Sequence, residues 1–161
     1  VDSLTIPLTR GKVAIIDAAD FDLVGQHKWC ALPSRNTWYA TRALRRTGPG
    51  RLVSMHQIIY PAPPGMKIDH IDGDGLNNRR ANLRHCTNVE NCRNQGIARN
   101  NRSGFKGVSW YPNYGKWVAT VWDGQRKVFL GYYADPVEAA RAYDAKAREL
   151  FGAFARPNFP A

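Results

Sequence analysis

MKIDHIDGDGLNNRRANLRHCTNVENCRNQ, Met66 to Gln95, holds the densest run of chemistry-bearing side chains in the 161-residue chain, and its reading decides the fold. It reads as a short strand ending near His70, a turn-rich loop, and a helix starting at Thr87. Thr87 and Glu90 have the spacing of a capping box, which places Asn91 in the first helical turn. Asp69 and His70 are adjacent on the extended segment. Successive strand side chains point to opposite faces, so both serve one site only near a strand end or bend, and the loop after His70 supplies one. Carboxylate and amide oxygens are hard ligands that suit Mg²⁺ or Mn²⁺, and histidine suits proton transfer near neutral pH. Phosphodiester hydrolysis uses that combination. On residue types alone the plain alternative stays open, because Asp-His pairs are common and turn asparagines bond local backbone.

Working outward, the first fifty residues read as short strands and turns around one small helix. KVAIID (Lys12–Asp17) and TWYATRAL (Thr37–Leu44) are strand patterns, and Asp17 and Asp20 are placed to cap a helix over Ala18–Val24. Ser54 and Gln57 have capping-box spacing, and that helix must stop by Tyr60, before PAPPG (Pro61–Gly65). GIARNNRSG (Gly96–Gly104) lacks apolar periodicity and reads as a basic linker carrying Arg99 and Arg102.

Beyond it, FKGVSWY (Phe105–Tyr111), KWVATVW (Lys116–Trp122) and KVFLGYY (Lys127–Tyr133) are three strands joined by the turns PNYG and DGQR. DPVE (Asp135–Glu138) opens a helix over Pro136–Phe151, with Gly152 as its C-cap. Alternation places Val121 and Val128 toward that helix, leaving Thr120, Trp122, Lys127 and Phe129 on the other face. Aromatics beside cations on an open face suggest a binding surface, against the plainer reading that Trp122 and Phe129 merely stack on each other.

Charge points to a partner. Lys+Arg number 23 and Asp+Glu 13, a net +10, and residues 1–94 and 95–161 each carry +5. Two segments are independently basic, which suits a polyanion such as DNA or RNA. No run approaches the roughly 18 apolar residues of a membrane span and no signal-peptide pattern is present, so no membrane partner is expected. Three cysteines (Cys30, Cys86, Cys92) cannot pair completely and suit a reduced, intracellular setting. With His85 they invite a zinc reading, but there is no CxxC pair, and Cys86 reads as a small buried apolar side chain.

IDHIDGDGLNNRRANLRHCTNVEN (Ile68–Asn91) resembles the HNH nuclease motif, in the form found in phage and intron-encoded homing endonucleases. The resemblance covers roughly residues 7–95 and implies an α+β chain with a ββα-metal core over about 51–95. It implies His70 as general base and Asp69 and Asn91 as ligands of one Mg²⁺ or Mn²⁺ per site. It also implies Asn82 as the residue that holds the loop together, and hydrolysis to 5′-phosphate and 3′-hydroxyl ends. In that setting His70 is expected to be oriented by a backbone carbonyl, and Arg79, Arg80 and Arg84 are candidates for phosphate contact. The helix bearing His56 resembles the family's "HR" segment with Gln57 in place of arginine; a bracing histidine is the plainer reading of His56.

Phe105–Pro160 resembles the APETALA2/ethylene-response-factor DNA-binding domain, through GKW, LGYY, EAARAYDAKARELFG and the closing NFP. This implies a three-stranded antiparallel sheet, packed on one helix, laid in a DNA major groove. By position the contacts would be Lys106, Ser109, Tyr111, Thr120, Trp122, Lys127 and Phe129. Ser109, Tyr111 and Trp122 stand where plant members carry arginine, and Phe129 where they carry tryptophan, so the plant target is not transferred. The expected organisation is a nuclease domain over 1–95, a linker over 96–104 and a DNA-binding domain over 105–161. The expected partner is double-stranded DNA, bound by a monomer or dimer with no obligate protein partner, in bacterial host cytoplasm if phage-encoded. A catalytically inert DNA-binding regulator is the main alternative, and an RNA-binding or structural protein the other.

Overall fold

The computed structural model describes residues 2–34, 36–44, 50–98 and 100–159. The chain forms two compact units, Val1–Asn91 and Cys92–Ala161. In the first, β1 (Ser3–Pro7) and β2 (Val13–Asp17) form an antiparallel hairpin, with Ser3 opposite Asp17. A 3-10 turn over Ala18–Asp20 leads into α1 (Phe21–Val24). Next, β3 (Cys30–Ser34), β4 (Thr37–Ala43) and β5 (Leu52–Ser54) form an antiparallel sheet with β4 central.

α2 (Met55–Ile59) begins at the predicted capping box, where the Ser54 N–H donates to Gln57 Oε1 at 2.9 Å. It ends ahead of the proline run, as a ring without an N–H requires. Met55 and Ile59, one turn apart, bury their side chains with Ile16, Val24, Trp29 and Leu83. Each such side chain contributes roughly 1.5–3 kcal/mol by burial.

The segment that opened the reading folds as a ββα motif. β6 (Lys67–His70) pairs antiparallel with β7 (Leu83–Cys86), and α3 (Asn88–Arg93) follows. The Thr87 capping box forms: the Thr87 N–H donates to Glu90 Oε2 at 2.8 Å and the Glu90 N–H to Thr87 Oγ1 at 3.3 Å.

One local reading is corrected here. Asp17 and Asp20 make no side-chain caps on the short helices that follow them. Instead the Arg80 N–H donates to Asp17 Oδ2 at 2.8 Å, and the Arg80 guanidinium forks onto Asp20. Both carboxylates are buried, and Arg80, sixty or more residues away, satisfies Asp17 with its main-chain N–H and Asp20 with its charged fork, better than a frayed one-turn helix would.

In the second unit, β8 (Val108–Tyr111), β9 (Lys116–Trp122) and β10 (Lys127–Tyr133) form an antiparallel sheet with β9 central. It packs on α4 (Pro136–Phe151). The Val137 N–H donates to Asp135 Oδ1 at 2.9 Å, so Asp135 caps α4 as its sequence predicts. Val121 faces Tyr143, Ala147 and Phe151 in the core.

Strand alternation holds along β10 only as far as a bulge between Phe129 and Gly131. The extra residue resets the pleat. Leu130 still packs inward, while Tyr132 pairs with Val118 and joins Phe129 on the outer face. Asp144, also inside, accepts from the Asn158 N–H (2.7 Å) and the Phe159 N–H (2.8 Å) and so ties the NFP segment to α4. No helix among the described residues is long and apolar enough to cross a membrane.

Gly107 sets how closely the sheet approaches α4. Its φ is +77°, and a Cβ there would enter the Tyr143 ring. Gly107→Ala should therefore cost about 2–4 kcal/mol through backbone strain and overpacking together. The measurement is the urea midpoint; a shift worth less than about 1 kcal/mol would contradict this packing.

Candidate functional site

The site is built on the loop between β6 and β7. Asn82 closes that loop: its Oδ1 accepts the Asp72 N–H (3.1 Å), and its Nδ2 donates to Asp72 Oδ1 (2.9 Å) and the Asn77 carbonyl (2.8 Å). The Ile71 N–H donates to the Asn82 carbonyl at 2.9 Å. Across β2 the loop is held like an extra strand, with Ile15 N–H on the Leu76 carbonyl and Asn78 N–H on the Ile15 carbonyl. Gly75 donates its N–H to Thr37 Oγ1 at 2.8 Å. A Cβ at Gly75 would meet the Trp38 carbonyl and the Tyr39 ring, so glycine permits the close approach of loop to β4.

His70 ends β6, and its ring is buried. Its Nε2 lies 3.4 Å from Asn78 Oδ1. Asn78 is fully buried and donates Nδ2 to the Leu76 carbonyl, which turns its Oδ1 toward His70. The His70 ring also stands 5.0 Å from His56 and 5.7 Å from Tyr39, between centroids.

Burial holds His70 below the usual imidazole range, with the Asn78 bond and the carboxylates Asp72, Asp69 and Asp74 pulling the other way. Burial, and then the neighbouring His70, bring His56 down to about 3. Burial, then Asp69, push the Tyr39 phenol up. The two imidazoles are therefore neutral at neutral pH, and neutral imidazole is the proton-accepting form.

Asp69 is buried and opposite Arg84 in the strand register. The guanidinium donates Nε to Asp69 Oδ2 at 2.9 Å, with Nη2 2.7 Å from the same oxygen. Asn91 lies in the first turn of α3, half-buried, its N–H on the Thr87 carbonyl. Its carboxamide has no hydrogen-bond partner among the described residues. Among those residues no three His, Cys, Asp or Glu side chains group as a metal site. A carboxylate with about four lone-pair positions plus a carboxamide oxygen still suits a hard divalent cation. Cys86 is buried, its thiol pushed up chiefly by burial, and Sγ lies 3.7 Å from the Lys67 carbonyl.

The other predicted positions separate by their surroundings. Arg79 is exposed, with Nε on Asn77 Oδ1 at 3.0 Å. Arg80 pairs with Asp20 while half of its side chain stays exposed, and Arg84 pairs with Asp69 with its side chain mostly covered. Each neutralises a buried carboxylate that would otherwise be costly. Arg102 is exposed, and Arg99 lies outside the described residues.

Lys106 turns back onto the main chain. Its Nζ donates to the Arg93 carbonyl (2.6 Å) and the Gln95 carbonyl (2.7 Å), and burial brings it down to about 8. It anchors chain instead of projecting from the sheet. Ser109, Tyr111, Trp122, Lys127 and Phe129 are exposed and Thr120 is half-buried. Asn78 is absent from the sequence reading; its signal was the Asn77-Asn78 pair, in which each amide does a separate task.

The HNH endonuclease family profile matches residues 60–93, the hairpin and helix just described. An uncharacterised HNH endonuclease of Acanthamoeba polyphaga mimivirus is 30% identical over 164 residues, spanning 94% of this chain and 78% of that protein. The chain belongs to the HNH endonuclease family. Protein 3.8 of Escherichia phage T7 is 39% identical over 97 residues, 60% of this HNH chain and 78% of that protein. The chain also has an APETALA2/ERF-like region. Over 68 residues it is 40% identical to dehydration-responsive element-binding protein 2A of Arabidopsis thaliana, 41% of this chain but 20% of that protein.

His56 gives this HNH site a pH signature. The unfolded chain binds a proton at His56 below about 6.5, whereas the folded chain does not until about 3. Stability is therefore lost as pH falls through that window, with a limiting slope of about 1.4 kcal/mol per pH unit. His56→Phe should remove this share, so between about pH 7 and pH 5 the wild type loses on the order of 1–2 kcal/mol more than the variant. Denaturant midpoints at the two pH values measure it, and parallel losses would contradict a neutral, half-buried His56.

Proposed function

We propose that the chain is a metal-dependent DNA endonuclease of homing type that hydrolyses a phosphodiester to 5′-phosphate and 3′-hydroxyl ends. The observation that carries this reading is the His70–Asn78 pair at the end of β6. With Asn78 Nδ2 given to Leu76 and its Oδ1 facing the ring, the pairing favours the tautomer that carries its proton on Nε2. Nδ1 is then the nitrogen with the lone pair, suited to take a proton from water as it attacks phosphorus. Burial supports the same role by keeping the imidazole neutral.

Asp69 and the Asn91 carboxamide would hold one Mg²⁺ or Mn²⁺. When bound, that ion supplies charge stabilisation for the phosphate and the departing 3′ oxygen. Arg84 orients the Asp69 carboxylate through Oδ2, and Asn82 keeps the loop ends, and hence His70, in place. The unit over 105–161 would position the site on DNA through the open face of its sheet, with the basic segment 96–104 leading into it. The Asp-His-Asn set, with each residue in a separate hydrogen-bonding situation, favours activity over the inert-regulator alternative.

The test is nicking of supercoiled plasmid. Wild type with Mg²⁺ should cut, EDTA should stop it, and His70→Ala should lower the rate roughly 10²–10⁴-fold while DNA affinity stays within about threefold. Undiminished Mg²⁺-dependent cutting by His70→Ala would remove His70 from the mechanism, and DNA binding with no cutting by wild type would favour the regulator.

A further inference from the structure

The outer face of the second unit's sheet has a composition that a reader of intact duplex does not need. None of the described residues of β8, β9 and β10 is Asp, Glu, Arg, Asn or Gln. Base edges in a major groove are read chiefly by forked or paired donors from Arg, Asn, Gln and Lys. This face offers two lysines, Lys116 and Lys127, together with the short hydroxyls Ser109 and Thr120.

What it does offer is ring surface. Trp122 is 59% exposed and Phe129 54%, and the register places them on adjacent strands. Tyr132, brought outward by the bulge, lies 4.9 Å from Phe129 between centroids. Tyr111 and Tyr114 complete the group, at 5.6 Å and 5.0 Å from Tyr132. Rings that brace one another are already ordered and lose little entropy on binding.

In a duplex the base faces are covered by their neighbours, so exposed rings have only edges and thymine methyls to touch. Unpaired bases present whole π-faces. Aromatic platforms flanked by cations are the usual way to hold them. Charge agrees with such an occupant. Lys116 pairs with Tyr111 at one end of the face and Lys127 with Trp122 at the other, with no acidic strand residue between them.

We propose that this face is a stacking platform for unpaired DNA bases, so that the chain engages a single-stranded or unstacked stretch in preference to intact duplex. The proposal rests on the reading of this unit as the DNA-binding part. It accounts for the aromatic residues at Tyr111, Trp122 and Phe129, and adds Tyr114 and Tyr132 as contacts.

The experiment is fluorescence anisotropy of the full chain in EDTA, using a labelled oligothymidylate of about 20 nucleotides and the same strand annealed to its complement. The single strand should bind at least about tenfold more tightly at equal salt. Trp122→Ala and Phe129→Ala should each weaken it roughly 5- to 100-fold, with Trp122→Phe close to wild type. Because both side chains are more than half exposed, thermal melts of these variants should match wild type, which separates lost stacking from lost fold. Tighter binding of the duplex, or single-strand binding unchanged in both alanine variants, would overturn the platform and leave DNA recognition standing. Binding of neither DNA would overturn both.

Discussion

The Asn82 carboxamide is the interaction on which the rest of the first unit's site depends. It bonds the backbone and side chain of Asp72 and the carbonyl of Asn77 at once. Ordering the backbone of a loop of about a dozen residues costs on the order of 10–20 kcal/mol. Without a buried amide bridging its ends, the loop would not hold Asn78 against His70. With it, hydrogen bonds join the strand end, the loop and β2, and the His70 imidazole faces Asn78 Oδ1 at 3.4 Å.

A second constraint is size. Each unit is small and has a correspondingly small apolar core. Both supplement it with buried polar groups that are paired across the chain. Asp20 takes the Arg80 fork, Asp69 takes Arg84, and Asp144 takes the backbone of Asn158 and Phe159. Burying a charge without a partner costs far more than such a pair returns, so these contacts specify the arrangement more than they stabilise it. The Lys106 ammonium follows the same rule, donating to two main-chain carbonyls.

Function divides along similar lines. In the reading proposed for the first unit, the buried, neutral imidazole of His70 would be the proton acceptor, and the Asp69 carboxylate and Asn91 amide would be the hard ligands. The second unit buries Tyr143 and Phe151 but leaves Trp122, Phe129 and Tyr132 exposed on the sheet. Alanines of α4 (Ala139, Ala140, Ala147) join Val108 and Val121 in the core and let the helix lie close to the sheet.

By itself the sequence determined the short-range features: the capping boxes at Ser54 and Thr87, the N-cap at Asp135, the stop at Pro61, the three strands with their turns, and the adjacency of Asp69 and His70. These are decided within a few residues, by turn chemistry and side-chain parity, and no distant partner can change them. Tertiary structure alone decided the fate of Asp17 and Asp20, the pairing of Arg84 with Asp69, the anchoring task of Lys106, the amide of Asn78 against His70, and the outward turn of Tyr132. Their partners lie between eight and sixty-three residues away, or, for Tyr132, depend on a bulge that shifts the register by one. Which of several competing donors reaches a buried carboxylate is settled when the chain closes on itself, because desolvation then penalises every polar group left unpaired.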